Sequence, residues 1–325
     1  MMKVRCKSIS LAVAFFVSIF LLVGCNDDNG GSSSDIKYKG STEQVLIDES
    51  NAVKIATTVF LNTDSMVSTG DLAYSGMILE NYEGTPSMLH TLALALTLLD
   101  IIENAQMPSS ESETPYTGAV YHDSWTQEGE CGGKAEIKWS YNIDSDKVSM
   151  TIKFHDYCSD QGITLDGTVE IEDDFFLDQI TMTFKSLKST FEESEQNTTM
   201  SGTIEVEEGP ISLIFDMNVT MRNNTTDKTY KVEDLTVEMI DDGFEIEVIL
   251  SGRFYDHDNG YCDTSTEISI KFLDSSDMPY EGSLLIEGAN NTKALLTIID
   301  EESYEVEADT NGDGTFNYSS GTLTW

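Results

Sequence analysis

Near the end of the chain, Asp309-Thr310-Asn311-Gly312-Asp313-Gly314-Thr315 places oxygen-bearing side chains at alternate positions, with a glycine directly after the third. Oxygens at the first, third and fifth places of such a stretch can converge on a hard divalent cation. Glycine at the sixth permits the sharp turn that brings them round. The candidate ligands are Asp309, Asn311, Asp313 and Thr315, and the ion they suit is Ca2+. The same residues also make a plain polar turn, since Asn-Gly and Asp-Gly are favoured hairpin connections, and both readings stand at this point.

The spacing resembles the first half of an EF-hand calcium loop. It departs from one at the twelfth place, which is Ser320 instead of glutamate, and in its flanks, which alternate like strands (Tyr304-Val306-Ala308 before, Phe316-Tyr318 after). The resemblance therefore implies at most a weak, structural calcium loop between strands. The four histidines are His90, His122, His155 and His257, and three of them precede an aspartate. Neighbours on a strand point to opposite faces, so a His-Asp dipeptide cannot act there as one unit. No Gly-x-Ser-x-Gly elbow, phosphate loop or His-Glu-x-x-His stretch occurs. No catalytic residue is assigned, and the balance leans away from an enzyme.

The start of the chain carries a different chemistry. Lys3, Arg5 and Lys7 precede an apolar run from Ile9 to Val23, which ends Leu22-Val23-Gly24-Cys25. The run is shorter than the roughly 20 residues of a membrane span and suits an export signal. The ending resembles the lipobox of bacterial lipoproteins. That resemblance implies lipid attachment at Cys25, cleavage just before it and tethering to a membrane. Asn26 to Asp35 follows as a polar, flexible linker. Asn26, standing where aspartate would favour retention in the inner membrane, implies the outer membrane.

With 58 acidic against 18 basic residues the formal net charge is −40, which repels nucleic acid and anionic headgroups. Apolar residues are too plentiful and regular for disorder. Besides Cys25, cleavage leaves Cys131, Cys158 and Cys262, an odd number in an oxidising compartment.

The elements that must position these residues fall into two regimes. Ser41 to Asp64 reads as an amphipathic helix opened by a Ser41-Thr42-Glu43-Gln44 capping box, with Val45, Ala52, Ile55, Ala56, Val59 and Phe60 on one face. Ser87 to Ala105 is apolar almost all round, as a buried helix is. From about Val120 the period becomes two, as in Ala135-x-Ile137-x-Trp139-x-Tyr141 and Leu213-x-Phe215-x-Met217-x-Val219-x-Met221, with turns such as Asp242-Gly243 between runs. Asp166-Gly167, Ser201-Gly202 and Glu281-Gly282 open similar segments and read as glycines at strand starts.

The division expected is a signal peptide (1–24), a linker (25–40), a helical segment (41–106), a second linker (107–117) and an antiparallel β region (118–325), with 41–325 as one unit. The fold class is mainly β with N-terminal helices (α+β). It is a meander of roughly a dozen strands, forming a curved sheet or partly open barrel with the helices on its apolar face. An outer-membrane barrel, whose strands also alternate and which often ends in an aromatic such as Trp325, is the competing architecture.

In the first hairpin, pairing Ile143 with Val148 and one bulge at Gly132-Gly133 bring Cys131 to Cys158. Tyr157-Cys158 and Tyr261-Cys262 look alike, so a 158–262 bond is the alternative. The function expected is a lipid-anchored, non-enzymatic binding or structural module, held to the membrane by its lipid and partnered by an envelope protein or a hydrophobic ligand. A carrier of such a ligand is the second reading, and an envelope-polymer hydrolase the third.

Overall fold

The computed structural model describes residues 36–64 and 120–325, apart from short connections at 143–146, 160–162, 175–178, 192–195 and 274–277. Cys25, the helix expected over Ser87–Ala105 and the linker expected over 107–117 lie outside the described residues. Among the described residues, one α-helix, α1 (Ala52–Asp64), precedes fourteen strands. The strands are β1 (Val120–Glu128), β2 (Gly132–Asn142), β3 (Lys147–Cys158), β4 (Ile163–Asp174), β5 (Gln179–Phe191), β6 (Gln196–Glu208) and β7 (Ser212–Asn223). They continue with β8 (Thr229–Asp241), β9 (Glu245–Asp256), β10 (Gly260–Leu273), β11 (Pro279–Glu287), β12 (Lys293–Asp300), β13 (Ser303–Asp309) and β14 (Tyr318–Thr324).

Strand order equals sequence order, and each strand pairs antiparallel with its chain neighbours. Among the described residues β1 pairs only with β2 and β14 only with β13, so the sheet is open. Alternation explains the strands. In β7, Phe215, Met217, Val219 and Met221 are buried while Asp216 and Asn218 are exposed. The inward residues of β2 to β13 join one apolar cluster with α1.

A line of irregularities crosses the sheet. Gly167 in β4, Gly202 in β6, Gly252 in β9 and Gly282 in β11 have φ between +132° and +153°, and Asp156 in β3, Ser186 in β5 and Asp234 in β8 have φ near +50°. The pairing register jumps beside them, from Phe154↔Gly167 to Tyr157↔Leu165 and from Phe184↔Gly202 to Leu187↔Met200. Each such bulge bends its strand and raises the local twist. The recurring glycine segments are therefore a crease through the middle of the strands, and the reading of them as strand starts is corrected. Glycine is needed because a Cβ on Gly202 would stand 2.1 Å from the Asn218 carbonyl oxygen and 2.7 Å from the Val219 Cα.

The N-terminal part differs from expectation. The helix begins at Ala52, and residues 36–48 form an extended strap that crosses one end of the sheet. Ile36 N donates to Ser201 Oγ on the outer face at 3.4 Å, and Lys39 N to Thr229 Oγ1 at 2.8 Å. Further along, Ser41 N bonds His257 O, Tyr261 N bonds Glu43 O, Val45 N bonds Tyr261 O, and Ala289 N bonds Val45 O, all within 2.7–3.0 Å. Val45 and Ile47 turn inward and are buried. The strap passes so close that a Cβ on Gly260 would be 2.0 Å from Glu43 O.

Ser41 is thus occupied by strap pairing, and the cap lies seven residues on. Asp48 Oδ1 accepts from Ser50 N and Asn51 N, while Asn51 Oδ1 accepts from Asp48 N, a reciprocal cap. The Ser50 side chain and backbone hold the Asp48 carboxyl below its usual range. Asp48→Ala should lower the thermal midpoint by a few degrees and fray the first turn of α1; unchanged amide exchange at Ala52–Ile55 would remove the cap from the account.

From the strap, α1 runs along the inner face over β11, β12 and β13. Its residues Ala52, Ile55, Ala56, Val59 and Phe60 are buried, as their spacing predicts. The chain terminus closes over it. Trp325 stacks on Phe60 at 4.9 Å and on Tyr304 at 4.3 Å between ring centres. Trp325→Ala should cost about 2–3 kcal/mol, because two stacked contacts and a half-buried ring are lost. Denaturant titration reads the loss, and a change under about 0.5 kcal/mol would show that the stack is incidental.

Candidate functional site

The disulfide pair forms as the alternation suggests, though in a register shifted by two. Tyr141 pairs with Val148 and Trp139 with Met150, instead of Ile143 with Val148. A shift of two keeps every side chain on its face. The irregularity falls between Gly132 and Lys134, which brings Gly132 opposite Cys158 and Cys131, in the β1–β2 turn, to disulfide-bonding distance with Cα atoms 5.2 Å apart. Cys262, seven strands away, is buried and free. Burial pushes its thiol up to about 12, so it stays uncharged and unreactive. Beside it, between α1 and β9–β10, a cavity of about 20 Å³ lined by Val45, Ile55, Val59 and Phe254 has room for about one water.

The Asp309 loop joins β13 to β14, between strands as expected, with Phe316 in the loop and not in a strand. Asp309 is buried. Its Oδ1 accepts from Gly312 N at 2.8 Å and Asn311 N at 3.3 Å, and its Oδ2 from Gly314 N at 2.7 Å. Asn311 Oδ1 accepts from Asp313 N, and Asp313 Oδ1 from Thr315 N. The loop is thus closed by its own backbone, with Asp309 inside and Asn311, Asp313 and Thr315 exposed. No group of three or more His, Cys, Asp or Glu side chains suited to a metal ion occurs among the described residues.

Burial raises the Asp309 carboxyl, but the N–H groups of Gly314, Gly312, Asn311 and Asp313 outweigh it and hold the group below its ordinary value. A depressed carboxylate stabilises the fold fully above the unfolded value, about 3.9 for aspartate. That contribution is lost as pH falls through the folded value. Asp309→Asn should therefore lower stability at neutral pH and flatten the loss below about pH 4. An acid limb of the same steepness in the variant would assign the loss to other carboxylates.

The scarce cations are held in ladders on the outer face. Arg253 Nε donates to Asp263 Oδ1 at 2.7 Å, and its guanidinium lies 4.3 Å from the Tyr261 ring centre. Tyr255 OH donates to Glu233 Oε2 at 2.7 Å, and Lys231 pairs with Glu233 Oε1. Lys231 and then Tyr255 hold Glu233 below the ordinary glutamate range. Lys271 lies between Glu245 and Glu247 at 3.1 and 3.0 Å. Such ladders fix strand register and steer surface charge; each exposed pair adds little stability.

The His-Asp dipeptides do not come together. His122-Asp123 lies in edge strand β1. His155-Asp156 sits at the β3 bulge, with His155 Nε2 3.6 Å from Glu136. His257-Asp258 forms the β9–β10 turn, where His257 Nδ1 accepts from Thr229 N at 3.2 Å and Lys228 pairs with Asp258. His90 is outside the described residues.

What sequence reading missed is the strap and the unequal ends of the sheet. The strap end carries the β7–β8, β9–β10 and β13–β14 connections, with polar runs such as Asn223-Asn224-Thr225-Thr226. The far end carries the β6–β7, β8–β9 and β12–β13 connections, where Ile211 and Phe244 follow turn residues directly and are 55% and 80% exposed. An apolar residue immediately after Gly243, where polar residues are usual, was the available signal. Comparison with known proteins finds no matching family model, no matching curated protein and no matching solved structure.

Proposed function

We propose that this chain is a lipid-anchored cell-envelope protein, cut before Cys25 and modified there. Its open sheet would serve as a non-enzymatic binding or structural module at the outer membrane. The observation that carries this reading is Cys131 and Cys158 at bonding distance. A structural disulfide belongs to an oxidising compartment outside the cytoplasm, which is where the first 25 residues direct the chain. The net charge of −40 argues against a nucleic-acid partner and for solubility beside a membrane. Radiolabelled palmitate should enter the wild-type chain and not Cys25→Ala, and the intact mass should correspond to cleavage before Cys25. A chain that retains residues 1–24, or carries no lipid, would overturn the reading.

A second reading, a carrier of a hydrophobic ligand, is favoured by one feature. Inward apolar residues at the far end, among them Leu213, Met239 and Ile246, are only partly buried. Solvent extraction of the purified protein followed by mass spectrometry decides it, because a carrier should yield a stoichiometric lipid. Weak calcium binding at Asp309, Asn311, Asp313 and Thr315 is tested by the same protein with chelator and with millimolar Ca2+. An unchanged thermal midpoint removes it.

A further inference from the structure

We propose that the far end of the sheet is a membrane-docking rim that rests on a zwitterionic lipid bilayer; this rests on the lipid-anchor reading above. Antiparallel order sends alternate connections to opposite ends, and the two ends differ in chemistry. Among the described residues, the exposed large apolar side chains Ile211, Phe244, Leu273, Ile299 and Val120 lie at the far end, whereas the strap end carries Leu46 in the strap and Phe316 in a connection. Ile211, Phe244 and Leu273 stand at neighbouring strand tips. Asp241 N donates to Ile211 O at 2.9 Å, which ties the β6–β7 and β8–β9 tips, and Leu273 pairs with Glu245, the residue after Phe244. Neighbouring strands are about 4.8 Å apart, so the row from β7 to β12 spans about 25 Å. Exposed apolar residues scattered singly need no explanation, but a row along one edge marks an interaction surface.

The tether and the charge select the occupant. The described chain begins at Ile36, bonded to Ser201 in the middle of β6 on the outer face. From Cys25 the chain can span at most about 37 Å, while the distance from Ser201 to the far end is about 23 Å of strand. A lipid on Cys25 therefore reaches the plane of the rim with slack. Acids stand beside the apolar tips, as Asp241, Asp242 and Glu245 beside Phe244 and Asp300 beside Ile299. They exclude an anionic surface and permit a zwitterionic one.

The test uses the full chain, lipidated at Cys25 or as Cys25→Ser. Each form carries an environment-sensitive probe at Phe244→Cys or, at the strap end, at Phe316→Cys. Vesicles of phosphatidylcholine with brominated acyl chains supply the surface. For the lipidated form, quenching at 244 and none at 316 is the expected result. Quenching at neither position, or equally at both, overturns the docking.

The non-lipidated form separates this proposal from the anchor. At high lipid, probe-free Cys25→Ser should float with the vesicles. Ile211→Asp with Phe244→Asp should weaken that binding about tenfold or more, and so should replacing a third of the lipid with phosphatidylglycerol. If wild type carries no lipid yet Cys25→Ser binds in this way, the anchor fails and the rim stands. Self-association that is abolished by the same substitutions, without vesicle binding, would make the rim a contact between copies and overturn the proposal.

Discussion

Gly202→Ala should destabilise the protein by about 3–5 kcal/mol, a fall of roughly 10 °C in thermal midpoint. Two costs combine. The residue has φ +139°, a region closed to side chains at a cost of about 1–3 kcal/mol. In addition, the new Cβ would lie 2.1 Å from Asn218 O and 2.7 Å from Val219 Cα, both backbone atoms of the neighbouring strand. Nothing flexible can yield, so β6 and β7 must separate where Met200, Ile204, Met217 and Val219 pack in the core. Gly243→Ala is the control. Its φ is +86° but its Cβ would meet nothing within 4 Å, so it should cost only about 1–2 kcal/mol. Equal losses in urea titrations of the two variants would show that the crease is not held by close strand approach.

The second large effect is the loss of the Cys131–Cys158 bond. The two cysteines are 27 positions apart, and closing a loop of that length removes about 3.5 kcal/mol of chain entropy from the unfolded state. The double variant Cys131→Ala/Cys158→Ala should lose about that much, with a steeper denaturant slope because its unfolded chain is less compact. Non-reducing peptide mapping should show 131–158 alone. A 158–262 crosslink would contradict the strand register itself.

The meander was legible because a half-buried strand writes its burial directly into alternation. The crease was not, for a physical reason. A bulge inserts one residue, so the inward set changes phase, as from Phe184 to Leu187 in β5 and from Val232 to Leu235 in β8. Read linearly, a phase change beside a glycine looks like one strand ending and another beginning. The first segment failed differently. Val45 and Ile47 alternate, while Ala52, Ile55, Ala56, Val59 and Phe60 follow helical spacing, and a single helical reading from Ser41 merges the two. The capping pair Asp48-x-x-Asn51 was present in the sequence but competed with Ser41-x-x-Gln44. Whether Ser41 caps a helix or pairs with β9–β10 depends on residues more than two hundred positions away. At the Asp309 loop, spacing identified the turn and its place between strands, but not the burial of the first carboxylate among its own amides.

The strand order has a consequence for how the chain is made. Every hairpin joins residues close in sequence, so the strands can form in turn as the polypeptide is made. The strap cannot. Tyr38 bonds a residue 218 positions later, and Ile47 one 245 positions later. The first described residues to be made therefore wait for β9 to β12, nearly the last. The strap settles only when most of the sheet is in place, so its docking comes late in folding although its residues come first in the chain.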